Sequence, residues 1–418
     1  MPETSELHLA VALDGAGWHP AAWRSPDARP QELFSAGYWT DLAREAEAGA
    51  LDFLTIEDSL GLQTAGRFAD PDDRTDQVRG RLDAVLTAAR IAPHTTRIGL
   101  VPTAVTTHAE PFHLSTSIAT LDYVSEGRAG WRPRVAASPD EARHFGRREF
   151  PPLTAENVAD PAVAAHLRDL FDEAADAVEV VRRLWDSWED DAVIRDEPTG
   201  RFVDRDKLHY IDFDGRWFAV RGPSITPRPP QGQPVVASLA HAGVAYRLAA
   251  RASDVVFVTP FSAEHAAQIV AEVRAAESHL ERPRPPLQVY ADLAVFIDEA
   301  PGAAAARKRR LDDLDGAEFA TDCAIVAGTP GELADLLLGW RQAGLDGFRL
   351  RPGALPHDLR QIAGALVPEL RRRGAFRSGY AERTLRERLG LRRPANRYGA
   401  GRSQTGRSQT GRSQIGAA

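Results

Sequence analysis

The chain has 418 residues, of which 43% are hydrophobic and 26% are charged, so it is long enough to bury a sizeable core. Its 51 Lys and Arg residues are scattered among 59 Asp and Glu residues, which argues against nucleic acid as a partner. The single cysteine, Cys323, allows no intrachain disulfide and suits a reducing cytoplasm. Neither a signal peptide nor a run of about 18 apolar residues is found, so a cytoplasmic protein without a membrane span is expected.

Short strand-like runs alternate with longer helical runs along the chain, which is typical of βαβ units around a parallel sheet. The first four predicted strands span residues 7–13, 52–58, 97–106 and 127–137. The clearest helix is predicted over 170–188, where apolar residues keep helical spacing. The polar stretches at about 138–165 and 189–233 break the alternation, and we interpret them as insertions, the second containing a hairpin.

The alternation resumes in the second half with the strand-like runs PVVASLA, DVVFVTP, LQVYADLAVFI and DGFRLRP. About eight strand and helix pairs result, the number that closes an α/β (β/α)₈ TIM barrel with its site and insertions at the C-terminal face. An open doubly wound sheet is the alternative, because strand order alone does not show closure. We predict a barrel domain over 1–398 and a disordered low-complexity tail over 399–418, where GRSQT repeats.

Polar residues at the C-terminal ends of the predicted strands are the candidates for a functional site. Two of them lie where a strand meets a helix, a place that favours a bound phosphate. The candidates for cofactor binding are Asp58, Thr106, Arg134, Ser138, Ser238, His241 and Ala242.

Several candidates also have a purely structural interpretation. Asp58 and His241 could cap the segments that follow them, and Thr106 could be an ordinary strand threonine. Arg134 could belong to a surface ion pair. These alternatives stay open at the level of the sequence, which names no catalytic residue.

The chain lacks the motifs of several common enzyme classes. It has no GxSxG nucleophile elbow, no GxxxxGK[ST] phosphate loop and no HExxH metal motif. No metal site is therefore predicted. A barrel without an evident nucleophile or metal fits a bound organic cofactor that carries the chemistry.

Five segments together resemble one branch of a known enzyme family. They are YWTDLAREAEAGALDFLTIEDSL, IGLVPTAVTTHAEPFHLSTSIATLDYVSEGRAGW, LWDSWEDDAVIRD, HYIDFDGRWFAVRGPSITPRPPQGQPVV and YAERTLRERLGLRRPAN. They resemble bacterial-luciferase-like flavin monooxygenases of the nitrilotriacetate, dibenzothiophene-sulfone and pristinamycin-pathway branch. The resemblance extends from about residue 7 to residue 398, and the five segments occur in the same order as in that family.

The resemblance implies a homodimeric or homotetrameric barrel that takes reduced FMN from a separate NAD(P)H-dependent flavin reductase. It implies that O₂ and the reduced flavin form a flavin hydroperoxide, which inserts one oxygen atom into a small organic substrate. A deazaflavin-dependent oxidoreductase of the same superfamily and a non-catalytic flavin-binding protein are the alternatives.

Carried over residue by residue, Asp58 matches an acidic residue near the flavin ring, and Thr106 matches the threonine of the family's flavin-contacting motif. Two flavin-contact segments depart from the family pattern. Residues 132–138 read RPRVAAS where the family has Asn-Val-Val-Thr-Ser, and residues 238–242 read SLAHA where it has Gln-Ala-Gly-x-Ser. A diverged site, a deazaflavin cofactor and a weakened site all explain this; we favour a diverged site in which Arg134 and His241 meet the phosphate.

Overall fold

A computed structural model describes residues 6–63, 74–154, 156–158, 160–280 and 285–399. Its strands, in chain order, are β1 (His8–Leu13), β2 (Phe53–Ile56), β3 (Gly99–Val105), β4 (Gly130–Arg134), β5 (Val193–Asp196), β6 (Arg201–Val203), β7 (Phe213–Asp214), β8 (Ala219–Val220), β9 (Val235–Leu239), β10 (Val255–Val258), β11 (Gln288–Ile297), β12 (Ala324–Gly328) and β13 (Gly347–Pro352).

Eight of these strands close a parallel barrel. Around the barrel the order is β1, β2, β3, β4, β9, β10, β11 and β13, and β13 pairs again with β1. The ring has no free edge, so the predicted (β/α)₈ barrel is confirmed and the open sheet is not formed. The carboxyl ends of all eight strands consequently meet at one face, where barrel enzymes carry their sites.

Most of the helices cover the outside of the barrel. The helices are α1 (Ala36–Ala48), α2 (Ala84–Ile91), α3 (Pro111–Val124), α4 (Pro139–Arg143), α5 (Pro161–Asp186), α6 (Gly243–Ala252), α7 (Ala263–Ser278), α8 (Ala303–Asp315), α9 (Pro330–Arg341), α10 (His357–Gln361), α11 (Val367–Arg372) and α12 (Leu385–Arg388). Within the described part of the chain, no helix is both long and apolar enough to cross a membrane.

The helix predicted over 170–188 begins earlier than its apolar pattern indicates. It starts at Pro161 because Asp160 caps it, accepting hydrogen bonds from the backbone N–H groups of Ala162 at 2.8 Å and Val163 at 3.4 Å. Proline at the first helical position needs no hydrogen-bond acceptor. Within 161–169 only Val163 is buried, so the first turns carry little of the apolar periodicity on which the prediction rested.

Strand β11 has two neighbours on the same side. Its first half, from Gln288 to Ala291, pairs with β10, and its second half, from Leu293 to Ile297, pairs with β12. Strand β12 was not predicted, because Ala324–Gly328 is short and ends in glycine. The barrel wall therefore has a seam where β10 ends and β12 begins.

The two insertions and the basic C-terminal segment are also part of the described structure. The segment 189–233 contains two hairpins, β5 with β6 and β7 with β8, and the stretch 138–165 contains α4 and the start of α5. The basic C-terminal segment crosses the amino-terminal end of the barrel, where Leu385, Leu389 and Leu391 join the interior aromatic residues. The predicted GRSQT tail lies outside the described residues.

Gly17 holds the loop after β1 against the loop after β13. It has φ +125°, and a Cβ built on it would lie 2.5 Å from the carbonyl oxygen of Gly353. We expect Gly17→Ala to lower the free energy of unfolding by about 3 kcal/mol, through backbone strain and a clash that no side-chain rotation relieves.

Gly374 provides the control for this prediction, because it has φ +68° and open space around its missing Cβ. Gly374→Ala should cost only about 1 kcal/mol, the strain alone. Chemical unfolding followed by circular dichroism measures both variants. Equal losses would show that the contact with Gly353 carries no energy.

Candidate active site

The carboxyl end of the barrel is filled by an ionic layer. Below it the interior is aromatic, with Phe53, Phe257 and Tyr290 in contact at ring centroid distances of 5.9 to 6.3 Å. Above them lie three guanidinium groups and three carboxylates, which belong to Glu57, Arg132, Asp292, Asp322, Arg349 and Arg351.

The ionic layer is one continuous chain of contacts across the barrel. Glu57 contacts Arg132, and its Oε1 accepts a hydrogen bond from Arg349 Nη1 at 3.0 Å. Asp292 then joins the two arginines of β13, accepting from Arg349 Nε at 2.8 Å and from Arg351 Nε at 2.9 Å. This pairing follows from the sheet register, in which Asp292 lies opposite Arg349.

The outer end of the ionic layer reaches solvent. Arg351 Nη1 donates to Asp322 Oδ1 at 2.5 Å, and the other oxygen of Asp322 is 3.2 Å from His241 Nε2. His241 Nδ1 is also 3.0 Å from the hydroxyl of Thr259. The side chain of Asp322 is 43% exposed, whereas Arg349 and Asp292 are fully buried.

Every member of this layer is charged at neutral pH. Burial raises the pKa of the Glu57 carboxyl, but Arg132 and Arg349 more than offset it, so the pKa lies below its usual value. The pKa of Asp292 is lowered in the same way, by Arg349 and Arg351 against burial. Burial lowers the pKa of Arg132 to about 10, although Glu57 opposes it. Three positive and three negative charges cancel, so the layer carries no surplus charge toward a ligand.

Two guanidinium groups are also held by aromatic rings. The Arg349 Cζ lies 4.2 Å from the ring centroid of Phe257, and the Arg351 Cζ lies 4.5 Å from that of Trp18. Trp18 Nε1 is buried without a hydrogen-bond partner among the described residues. It is therefore a donor available to a bound molecule at this face.

Asp58 and Thr106, the predicted residues that follow β2 and β3, have partners within the protein. Asp58 accepts hydrogen bonds from the backbone N–H groups of Ser59 at 2.7 Å and Ala84 at 2.9 Å, and burial raises its pKa. Asp83 is the N-cap of α2, and Asp58 adds a second carboxylate that binds the backbone N–H of Ala84 at the start of the same helix. The Thr106 hydroxyl donates to the carbonyl oxygen of Arg134 at 3.2 Å.

Glu141 connects the predicted residues of β4 to the loop after β2. Its Oε1 accepts from Arg134 Nη1 at 2.9 Å and from the Ser59 hydroxyl at 2.8 Å. Ser138 caps α4, accepting from the backbone N–H of Asp140 at 3.2 Å. The structure thus brings the loop after Asp58 together with Arg134 and Ser138, and it pairs Arg134 with a carboxylate.

Two further predicted residues, Ser238 and Ala242, lie near the end of β9 and just before α6. Ser238 is buried and shares a 2.5 Å hydrogen bond with Ser253. Ala242 precedes α6 in an extended conformation and provides no side-chain cap. A Cβ built on Gly243 would have only Arg247 Nη1 within 4 Å, at 3.9 Å. Backbone N–H groups, a missing side chain and a guanidinium therefore meet at the start of α6.

A cluster of aromatic and histidine rings fixes the segment after α4. The ring of His108 stacks on Phe145 at 4.7 Å, and Phe150 lies between His108 at 5.7 Å and His166 at 4.9 Å. Arg148 lies over Phe150 and donates to Glu173 at 2.8 Å. The segment 145–150 is thus clamped between the end of β3 and α5.

The clamp should make stability depend on pH. Burial, followed by the charge of Arg148, lowers the pKa of both His108 and His166. In the pH range between the lowered pKa and the ordinary value near 6.5, the unfolded chain binds more protons than the folded one. The free energy of unfolding should therefore fall as the pH is lowered from about 7.5 to about 5.5.

Urea unfolding at both pH values checks this expectation. The double variant His108→Phe and His166→Phe keeps the stacked rings but cannot be protonated, so it should lose less stability than the unaltered protein over the same range. The same loss in both proteins would mean that these two histidines do not titrate differently in the folded state.

Several residues at this face were not among the candidates, including Glu57, Asp292, Asp322, Arg349, Arg351, Gly243 and Arg247. A signal for two of them was present in the sequence. Arg349 and Arg351 are two residues apart in a strand, so they share one face, and a repeated charge on one face of a buried strand requires partners. Their partners come from distant parts of the chain.

Comparisons with known proteins place this barrel in a family. The sequence-family model of the luciferase-like monooxygenases matches residues 16–319 of this chain. N-acetyl-S-(2-succino)cysteine monooxygenase of Bacillus subtilis (strain 168) is 30% identical, over 94% of this chain and 98% of that protein. Nitrilotriacetate monooxygenase component A of Aminobacter aminovorans is 29% identical, over 95% of this chain and 99% of that protein.

A solved structure agrees with this placement. Riboflavin lyase, determined with a modified FMN and riboflavin, superposes with a TM-score of 0.80 at 26% identity, covering 94% of this chain and 97% of that one. The family match covers well over half of the chain, and the relatives are covered almost completely. The chain therefore belongs to the luciferase-like monooxygenases and is a flavin-dependent monooxygenase.

Proposed function

We propose that this chain is the oxygenase of a two-component system, which takes reduced FMN from a separate NAD(P)H-dependent reductase. The name of one relative, component A of a monooxygenase, supports a system with more than one component. Bound reduced FMN would supply the two electrons with which O₂ is split between the substrate and water. The proposal places the protein in the cytoplasm as a homodimer or homotetramer, acting on a small organic substrate.

The observation that carries the proposal is the open start of α6 at the carboxyl end of the barrel. Ala242 offers no side-chain cap, Gly243 leaves space, and Arg247 points toward that space. A helix start with unused N–H groups binds phosphate well, and a guanidinium adds charge-assisted hydrogen bonds. These residues fit the phosphate of FMN, so we assign Ala242, Gly243 and Arg247 to it.

This assignment refines the role given to the two charged candidates. Arg134 is held by Glu141, and His241 is held by Thr259 and Asp322. Arg134 and His241 therefore act through neighbouring side chains. Trp18 Nε1 remains as a hydrogen-bond donor toward the flavin ring. The clamped segment 145–150 would exclude water from the site, which protects a reactive oxygen species from wasteful decay.

Anaerobic titration tests the proposal. The protein should bind reduced FMN more tightly than oxidised FMN, and the bound form should react with O₂ at a rate different from that of free reduced FMN. Absence of binding to reduced FMN would refute the proposal. A parallel titration with deazaflavin identifies the alternative oxidoreductase, which would bind deazaflavin and need no O₂.

A further inference from the structure

Two buried arginines at the amino-terminal end of the barrel have hydrogen-bond donors to spare. Arg388 is 5% exposed, and its Nη1 donates to the carbonyl oxygen of Asp52 at 2.8 Å. Its Nε and Nη2 have no hydrogen-bond partner among the described residues. Arg377 Nη2 donates to Asp52 Oδ1 at 2.8 Å, and Arg377 Nη1 also has no partner in the described part of the chain. Buried donors of a charged group require a partner, so these three atoms call for one.

The other buried arginines of the described chain satisfy their donors in one of two ways. Most contact a carboxylate, namely Arg132, Arg182, Arg228, Arg307, Arg349, Arg351 and Arg386. Arg128 instead donates from Nε, Nη1 and Nη2 to carbonyl and hydroxyl oxygens of the protein. Arg388 has neither arrangement, which sets it apart from the arginines that serve only to hold the fold together.

The free atoms of Arg388 form the edge of the guanidinium group that binds carboxylates elsewhere in this protein. Arg349 uses Nε and Nη2 to hold the two oxygens of Asp292, at 2.8 Å and 2.5 Å. Arg74 uses the same two atoms to hold Asp76, at 2.9 Å and 2.8 Å. Two parallel N–H bonds match two oxygens that are bonded to one atom. The free edge therefore fits an oxyanion.

The charges around this edge favour an anion over a water molecule. Among the described residues, Asp52 is the only carboxylate within ion-pair distance of either guanidinium group. Its oxygens are also used by His8 Nδ1 at 2.9 Å and by the backbone N–H of Leu9 at 2.7 Å. Burial lowers the pKa of both arginines, and Asp52 more than offsets this at Arg377 but not at Arg388. One negative charge thus faces two positive charges.

We propose that Arg388 and Arg377 bind a small oxyanion, a carboxylate or a tetrahedral anion such as phosphate, at the amino-terminal end of the barrel. The Tyr380 ring packs on the Arg388 guanidinium at 4.3 Å, within the segment 378–383, which contains no helix or strand. The anion enters when this segment moves aside, because the donors themselves are buried. Once bound, it holds in place the segment that brings Leu385 and Leu389 into the barrel interior. The proposal does not depend on the proposed function.

Hydrogen–deuterium exchange of the full-length protein tests this site. The protein is equilibrated in a chloride buffer, and sodium phosphate, sodium sulfate or sodium acetate is then added at constant ionic strength. We expect at least one of these oxyanions to slow amide exchange in 377–391, relative to the rest of the chain, by about tenfold at about ten times its dissociation constant. The effect should saturate. Acetate distinguishes a planar carboxylate from the two tetrahedral anions.

Four variants locate the effect. Arg388→Lys keeps the charge but removes the paired N–H groups, so it should abolish the response to the oxyanion. Arg383→Lys makes the same change at an exposed arginine of the same segment and should keep the response. Arg247→Glu should also keep it, which separates this site from phosphate bound at α6. Glu382 is a second carboxylate whose charge acts on Arg388, and Glu382→Gln should likewise leave the response in place.

Three results would overturn the site. Exchange in 377–391 that responds no more to oxyanions than to chloride would mean that water alone satisfies the free donors. A response that persists in Arg388→Lys would mean an adventitious ion only. A response that appears only in Glu382→Gln would mean that the Glu382 carboxylate occupies the edge. The first result is read on the unaltered protein, so the test holds even if Arg388→Lys does not fold.

Discussion

Asp292→Asn is expected to lower the free energy of unfolding by about 3–5 kcal/mol, because it removes the central carboxylate of a buried charge network. Asp292 is fully buried and contacts both Arg349 and Arg351. Asparagine has nearly the same shape, so the substitution leaves no cavity. It leaves two buried guanidinium groups with a neutral partner, and chemical unfolding followed by circular dichroism measures the loss.

A matched substitution separates burial from the loss of charge. Asp335 forms an ion pair with Arg373 at 2.5 Å, but its side chain is 75% exposed. Asp335→Asn should therefore change the free energy of unfolding by less than about 1 kcal/mol. A loss of the same small size in Asp292→Asn would mean that the ionic layer is hydrated and is not a buried network.

The architecture of the barrel could be predicted from the sequence because it depends on local patterns. Strands that are buried on both faces read as apolar runs, and each is followed by a helical pattern, so the order of elements already specified the fold class. Closure required one more fact, the pairing of β10 with β11. The short strand β12 was missed because four apolar residues give no reliable period.

The candidate site was harder to predict because its contacts join distant segments. The strand ends at Asp58, Thr106 and Arg134 do lie at the carboxyl face, yet each has a partner within the protein. Arg132 and Arg349 share one partner, Glu57, which is 75 residues from Arg132 and 292 residues from Arg349 along the chain. Only the closed barrel brings these charges into one layer.

The largest functional effect is expected from reversing the charge at the start of α6. Arg247→Glu should weaken binding of FMN by about 10-fold to 100-fold, because it replaces a charge-assisted hydrogen bond to phosphate with repulsion. The backbone N–H groups of α6 would remain in place, so binding should be weakened and not abolished. Anaerobic titration with reduced FMN measures the change.

Riboflavin and a second variant make this result specific. Riboflavin lacks the phosphate, so Arg247→Glu should leave its affinity unchanged if Arg247 meets the phosphate alone. Arg310 is an exposed arginine of α8, and Arg310→Glu alters the net charge equally without touching α6. Equal weakening of FMN and riboflavin would assign Arg247 to the stability of α6 instead. Equal weakening of FMN binding by Arg247→Glu and Arg310→Glu would mean that only the net charge of the protein matters. A phosphate site at α6 is supported only if FMN binding alone is weakened, and only by Arg247→Glu.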